Sequence, residues 1–358
     1  MTIGGRALAL SRARLRRPAG VPRPAALAIL GLAALAAVVV LGVAAGSVAV
    51  APGDTIGILL RALGFPLERT WAATAETIIL ELRLPRVLTA VVVGAGLAVA
   101  GATFQGLLRN PLADPYVLGT ASGAALGAAI AVLIPVRMAL LGLGLVNVLA
   151  FAGGLAAVAV VYRLGRGGPL APLTGLLLTG YAVGSLLAAG LAMTMYLSGS
   201  NLRQIFAFLL GGLEGSSWMS LAIAAPLIIG GSIAILARAR ALNGLLLGEE
   251  AAAHLGVDVR RERGILLGLA TLVTAAAVAV SGLIGFVGLI APHLVRLIVG
   301  PNARHVLPLA AILGAVLLVV ADVVARLLGE IPVGVVTAVI GAPFFLALLR
   351  TTRAGYEL

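Results

Sequence analysis

The stretch RARALNGLLLGEEAAAHLGVDVRRER, Arg238 to Arg263, is the only long polar interruption in an otherwise apolar chain. Six hydrophobic segments precede it and four follow. It carries two arginine clusters, the pair Glu249-Glu250, and a short helical pattern at Ala251 to Leu255. Gly256 suits the end of such a helix, because glycine takes the left-handed conformation without Cβ strain. A compact helical knob between two apolar runs is a handle for another molecule to push. The competing reading is a plain solvated loop.

The composition around this stretch sets the class. Of 358 residues 61% are hydrophobic and only 11% charged, with no cysteine. No water-soluble domain covers that much apolar surface, so the chain reads as a polytopic membrane protein of the all-α class. All 25 basic residues are arginine. A phosphate-binding loop of the Walker type needs a lysine, so no such nucleotide site is expected in this chain. Without cysteine there are no disulfides, thiolate metal sites or cysteine nucleophiles. The net charge of +12 does not point to nucleic acid, because the arginines gather at the ends of hydrophobic segments.

Outward from the knob, the apolar runs predict ten transmembrane helices: 25–50, 87–108, 116–133, 138–161, 173–197, 218–236, 264–283, 285–299, 306–328 and 333–349. Residues 1–24 read as a basic cytoplasmic tail, 25–350 as one membrane domain with the cytoplasmic loop 238–263, and 351–358 as a C-terminal cytoplasmic tail. Arg83-Leu84-Pro85-Arg86 marks the start of the second span, since proline disfavours helix in the residue before it. Splitting 264–299 into two spans places roughly 18 of the 25 arginines inside, in keeping with the positive-inside bias. Gly119, Gly123 and Gly127, and Ala90, Gly94 and Ala98, recur at helix-packing spacing.

Little chemistry sits inside the bundle. Asp322 is the clearest intramembrane acid, and Arg326 lies one turn on, so a locally neutralised pair is expected. His254, His293 and His305 are too scattered for a metal site, and no hydrolytic constellation stands out. The chain has the body of a transporter with neither a nucleotide engine nor an ion relay. A membrane-embedded enzyme has no site to name, and a stand-alone secondary transporter or channel lacks its relay. Energy is expected from a partner.

Four stretches carry a resemblance: Arg83 to Ala124 (RLPRVLTAVVVGAGLAVAGATFQGLLRNPLADPYVLGTASGA), Gly248 to Val257 (GEEAAAHLGV), Ser281 to Pro301 (SGLIGFVGLIAPHLVRLIVGP) and Ala321 to Arg350 (ADVVARLLGEIPVGVVTAVIGAPFFLALLR). In this order they resemble the membrane permeases of bacterial ABC importers for iron-siderophores, haem and vitamin B12. One departure is Asn302-Ala303-Arg304-His305, where the family often has Asp-His-Arg.

The resemblance implies a homodimer of ten-span subunits in the cytoplasmic membrane, both termini inside. It implies two ABC ATPase subunits, which bind the ATP and Mg, and a periplasmic or lipid-anchored substrate-binding protein. It carries no catalytic residue, metal or cofactor over to this chain. Gly248, Glu249, Glu250, Ala253, His254, Leu255 and Gly256 fall at the element that couples to the ATPase. Arg83, Arg86 and Arg326 fall where the binding protein docks. Asn110, Leu112, Leu173 and Thr174 fall at the inner gate, with Gln105 and Thr103 facing the path. The cargo it implies first is a ferric siderophore, with haem or cobalamin as alternatives.

Overall fold

The computed structural model describes residues 24–46, 48, 50–135, 139–140, 143–165 and 172–353. Both tails expected from the sequence lie largely outside them. The order of elements is α1 Pro24–Ala44, α2 Pro52–Ala62, α3 Ala73–Leu107, α4 Thr120–Leu133, a two-residue antiparallel strand pair (Ala139–Leu140 with Leu143–Gly144), α5 Leu145–Gly165 and α6 Pro172–Leu197. Then come α7 Leu202–Leu210, α8 Trp218–Ala237, α9 Ala239–Leu246, α10 Glu249–His254, α11 Val259–Ser281, α12 Val287–Val299, α13 Ala303–Leu327 and α14 Val333–Arg353.

Among the described residues, α1, α3, α5, α6, α8, α11 and α13 are long and apolar enough to cross a membrane. Three shorter apolar helices, Thr120–Leu133, Val287–Val299 and Val333–Ala347, stand where the other three spans are expected. The chain is a multi-pass membrane protein. The break between the seventh and eighth segments is real: Gly282 (φ 64°) and Phe286 (φ 68°) interrupt the helix.

The bundle is organised around α3. From Val87 to Leu107 nearly every side chain is buried, because α13, α11, α12 and α8 all pack on it. A helix apolar all round belongs in such a centre. Hydrocarbon gives no hydrophobic drive between helices, so close van der Waals packing must hold them. Gly94 and Gly314 provide it: a Cβ added to either would run into the other's backbone, 2.9 Å from the Gly314 carbonyl carbon in the first case. Gly288 of α12 lies so near α3 that an added Cβ would sit 2.8 Å from the Leu97 carbonyl oxygen. Gly123 meets Gly153, joining α4 to α5, and Gly127 meets the Leu149 backbone. Gly119 differs from the packing role expected of it. It stands outside α4 at φ 84°, the left-handed start of the helix, with no neighbour nearer than 3.8 Å to an added Cβ.

Several buried threonine hydroxyls are satisfied within their own helices. Thr89 donates to the Pro85 carbonyl at 2.7 Å, and Thr271 and Thr274 donate to carbonyls four residues back at 2.8 Å. With no water in the bilayer core, that back-bond is the available partner.

Several boundaries differ from the sequence expectation; the fourth span, expected over 138–161, runs Leu145–Gly165 because the strand pair occupies the residues before it. The second span begins at Ala73 and runs through Pro85 instead of starting after it, because the chain widens into a π-helical turn over Ile78–Arg83. Such a turn accommodates the proline ring and its missing N–H. The first span stops at Ala44 rather than Val50, because arginines from two other helices take its terminal carbonyls. The third helix starts at Thr120 rather than Tyr116, the preceding residues being held in side-chain-capped turns.

Replacing Gly94 by valine is expected to destabilise the fold by about 1–3 kcal/mol through overpacking. Gly53, with open space around it, should tolerate the same change. Thermal unfolding of the two variants in detergent, compared with the parent chain, checks this.

Candidate functional site

Three places gather the residues singled out by the sequence. The first is the knob. The α9 helix lies against α3, with Leu242 buried and its Cδ1 2.7 Å from where a Gly106 Cβ would be. Gly248 (φ 111°) turns the chain into α10, a helix of six residues. At the other end Gly256 takes φ 78°, its N–H donates to the Ala253 carbonyl at 2.9 Å, and the Val257 N–H donates to Ala252 at 3.0 Å. These two bonds close the helix with its left-handed glycine cap.

Two ion pairs fix the knob to the bundle. Arg263 of α11 meets Glu249, and Arg238 donates to both carboxylate oxygens of Glu262 at 2.7 and 2.8 Å. The Asp258 side chain caps α11 by accepting from the Arg261 N–H at 3.0 Å. Ala252 points inward and is fully buried, whereas Glu250, Ala253, His254, Leu255 and Gly256 are exposed. Leu255 is 65% exposed and Leu247, which the sequence reading passed over, 68%. Two bare leucines on a projection held by two ion pairs present a rigid surface that water does not favour.

The second place is the segment after α3. Asn110 is exposed and its Oδ1 accepts from the Leu112 N–H at 2.9 Å, while Leu112 is half-buried. Thr174 is exposed near the start of α6; the side chain of Leu173 lies outside the described residues. Gln105 and Thr103 do not face a path, contrary to expectation. Gln105 is 2% exposed, donates to the Leu289 carbonyl at 3.3 Å and accepts from Arg296 of α12. Thr103 is fully buried and donates to Val99 at 2.8 Å. Both lie on the stretch of α3 enclosed by its neighbours, so no face is left to line a channel. Arg296 completes this clamp by donating to the Ala102 carbonyl at 3.1 Å.

The sequence reading also missed Asp114 and Tyr116. The Asp114 Oδ1 accepts from the Tyr116 N–H at 2.8 Å, and the Tyr116 hydroxyl donates to the Ile284 carbonyl at 3.0 Å. Loss of hydration pushes the Asp114 carboxyl up to about 6, against the opposing effect of the Tyr116 N–H.

The third place is the arginine cluster at the C-terminal end of α1. The expected Asp322–Arg326 pair is present, at 3.0 Å, and Arg86 joins it with a 2.8 Å bond from Nε. The approach of Arg326 Nε is a charge contact rather than an aligned hydrogen bond. The rest of Arg326 serves α1, donating to the Ala45 carbonyl at 2.6 Å and the Gly42 carbonyl at 2.8 Å. Arg83 donates to the carbonyls of Val43 at 3.2 Å, Ala44 at 2.8 Å and Val48. The three arginines placed at the docking position by the resemblance are thus already engaged within the folded chain. Arg83 and Arg326 are buried and cap the end of α1, and Arg86 shares Asp322. Arg86 and Arg326 share the one Asp322 carboxylate, and Arg83 has carbonyl partners, so the three guanidiniums keep a surplus of positive charge.

A family profile described as the FecCD transport family matches residues 34–351. The chain is 47% identical over 290 residues to the cobalamin import system permease protein BtuC of Halobacterium salinarum, covering 81% of this chain and 78% of that one. It is 46% identical over 279 residues to the hemin transport system permease protein HmuU of Yersinia pestis, covering 76% and 83%. A solved inward-facing conformation of a metal-chelate type ABC transporter superposes with a TM-score of 0.78 at 31% identity, covering 92% of this chain and 100% of that one.

The position of Asp114 sets a pH dependence. A carboxyl raised in the folded chain favours folding when protonated, so its burial cost is complete above about pH 6 and is relieved as pH falls from there to the ordinary value of 3.8. Asp114→Asn is expected to be more thermostable than the parent at pH 7.5, the difference shrinking below about pH 6 and vanishing only below the ordinary value of 3.8. Melting curves in detergent across that range check it.

Proposed function

The chain belongs to the FecCD transport family, and we propose that it is the permease subunit of an ATP-driven importer of a metal chelate. The cargo class is an iron chelate such as a ferric siderophore, haem or cobalamin. The names of the cobalamin and hemin permeases support that class without dividing it. On this reading ten helices cross the membrane with both termini inside, and two copies enclose the path. The exposed face of α6 supports the path, since Thr174, Tyr181 and Ser185 are all exposed there and hydroxyls suit water better than lipid tails.

Each copy receives one ATPase on the knob, and hydrolysis with its ATP and Mg takes place there. The single observation that carries this reading is the exposed pair Leu247 and Leu255 on a helix-turn-helix clamped by Arg263–Glu249 and Arg238–Glu262. A clamped projection passes displacement to α8 and α11, whereas a loose loop absorbs it. Small residues at Gly248, Ala253 and Gly256 let a partner approach closely.

On the opposite face a substrate-binding protein docks at the arginine cluster. The surplus charge of Arg83, Arg86 and Arg326 over Asp322 supports an acidic partner. Docking through them requires that partner to compete with the α1 carbonyls, which suits a contact that must form and dissolve in each cycle. Asn110, Leu112, Leu173 and Thr174 form the inner constriction, which closes around no tightly bound cargo and so permits release.

Leu255→Asp is expected to weaken ATPase binding about thirtyfold, as loss of a central apolar anchor does. Melting temperature should stay unchanged, because the side chain is exposed. Co-purification of the ATPase and ATP-driven uptake in proteoliposomes measure this; wild-type uptake by the variant would remove the coupling role.

A further inference from the structure

Between α3, α8 and α13 lies a cavity of about 280 Å³. Its wall is apolar, formed by side chains such as Val92, Ile228, Ile233, Leu236 and Leu307, with one polar exception, Ser232. The Ser232 Oγ is buried and has no hydrogen-bond partner among the described residues. The mouth opens sideways between Ile229 (47% exposed), Ile233 (61%) and Leu236 (40%). This is the belt of a membrane protein that faces acyl chains.

One end of the slot meets charge. Leu236 is followed four residues later by Arg240, across the break at Arg238 where α8 ends and α9 begins, and Leu307 is preceded one turn earlier on α13 by Arg304. Both arginines line a second, open groove of about 700 Å³ at the knob end. Both are exposed, and neither forms an ion pair among the described residues. Their spacing is fixed: the Asn243 Nδ2 donates to Asn302 Oδ1 at 2.9 Å, and the Ala303 N–H donates to Asn243 Oδ1 at 2.8 Å. These bonds tie α9 to the start of α13. The groove also holds Arg261, Asp258 and Glu262. Glu262 is taken by Arg238, which leaves the groove with more positive charge than negative.

We propose that this slot and groove together form a binding site for one anionic phospholipid. An acyl chain fills the cavity between α3, α8 and α13, and the phosphate sits on Arg240 and Arg304. Charge complementarity selects the occupant. An apolar cavity alone would take any lipid chain, and two unpaired guanidiniums at its end add preference for a phosphate without a compensating cation. Basic pockets between helices at a membrane surface hold acidic headgroups in this way, and each methylene removed from water adds to the grip. The Ser232 hydroxyl is the one group in the wall able to donate to an ester oxygen. The site requires only that the chain lies in a membrane; it uses neither the cargo nor the motor assigned above. Leu247 and Leu255 line the same groove, so a lipid here neighbours the coupling surface.

The test is lipid retention by the purified full chain, read by native mass spectrometry after exchange into equal mixtures of phosphatidylglycerol and phosphatidylcholine. Wild-type chain is expected to retain phosphatidylglycerol about tenfold over phosphatidylcholine. Arg240→Gln with Arg304→Gln should abolish that preference. Ile233→Trp, at the mouth of the slot, should lower retention of both lipids. Equal retention of the two lipids by the wild type would overturn the proposal and needs no variant to interpret. So would an undiminished preference in the double variant. Glycerol phosphate displacing phosphatidylglycerol at equal concentration would also overturn it, since that marks a phosphate groove without an acyl slot.

Discussion

Backbone groups in hydrocarbon have no water to fall back on, and that constraint shapes this chain more than any side-chain chemistry. Helices answer most of it. What remains is how the helices hold together and how their ends are closed. The first is answered by backbone-to-backbone approach at Gly94–Gly314 and Gly123–Gly153. These contacts make α3 the buried axis on which α8, α11, α12 and α13 are assembled. The second is answered at the C-terminal end of α1, where Arg83 and Arg326 supply the donors that the last carbonyls lack. A helix C-terminus carries partial negative charge, so cations there are favourable twice over.

This closure carries a cost that function can use. Among the described residues Arg86 and Arg326 pair with Asp322 alone and Arg83 with carbonyls, and carbonyl dipoles neutralise charge incompletely. On the proposed function, an acidic surface brought to this end meets guanidiniums already lodged in the protein. At the opposite face the arrangement is reversed. There Arg263–Glu249 and Arg238–Glu262 are matched pairs, and what is left unmatched is apolar, Leu247 and Leu255. One end is suited to an electrostatic partner that comes and goes, the other to a firmly seated one.

Much of this was legible from the residues. Hydrophobic run length located the seven long apolar helices and the three shorter ones among the described residues, arginine placement separated α11 from α12, and Gly256 announced the end of α10. The Asp322–Arg326 pair followed from spacing of one helical turn. What escaped depended on long-range neighbours. Nothing local ties Arg86 to Asp322, 236 positions away, or Arg83 to the end of α1. Gln105 looked like a polar residue facing a path because its partners, Leu289 and Arg296, lie on another helix. Pro85 looked like a boundary because a π-helical turn leaves no composition signal. Leu247 escaped because an exposed leucine and a buried one are alike until the fold is known.

The chain has a packed axis, and on the function proposed above its engine lies in a partner. Uptake of a radiolabelled ferric chelate, haem or cobalamin into vesicles holding only this subunit tests that most directly, with a proton or sodium gradient imposed and then with the cognate ATPase, binding protein and ATP supplied. Cargo should enter only in the complete, ATP-fed system. Gradient-driven accumulation by the subunit alone would contradict it.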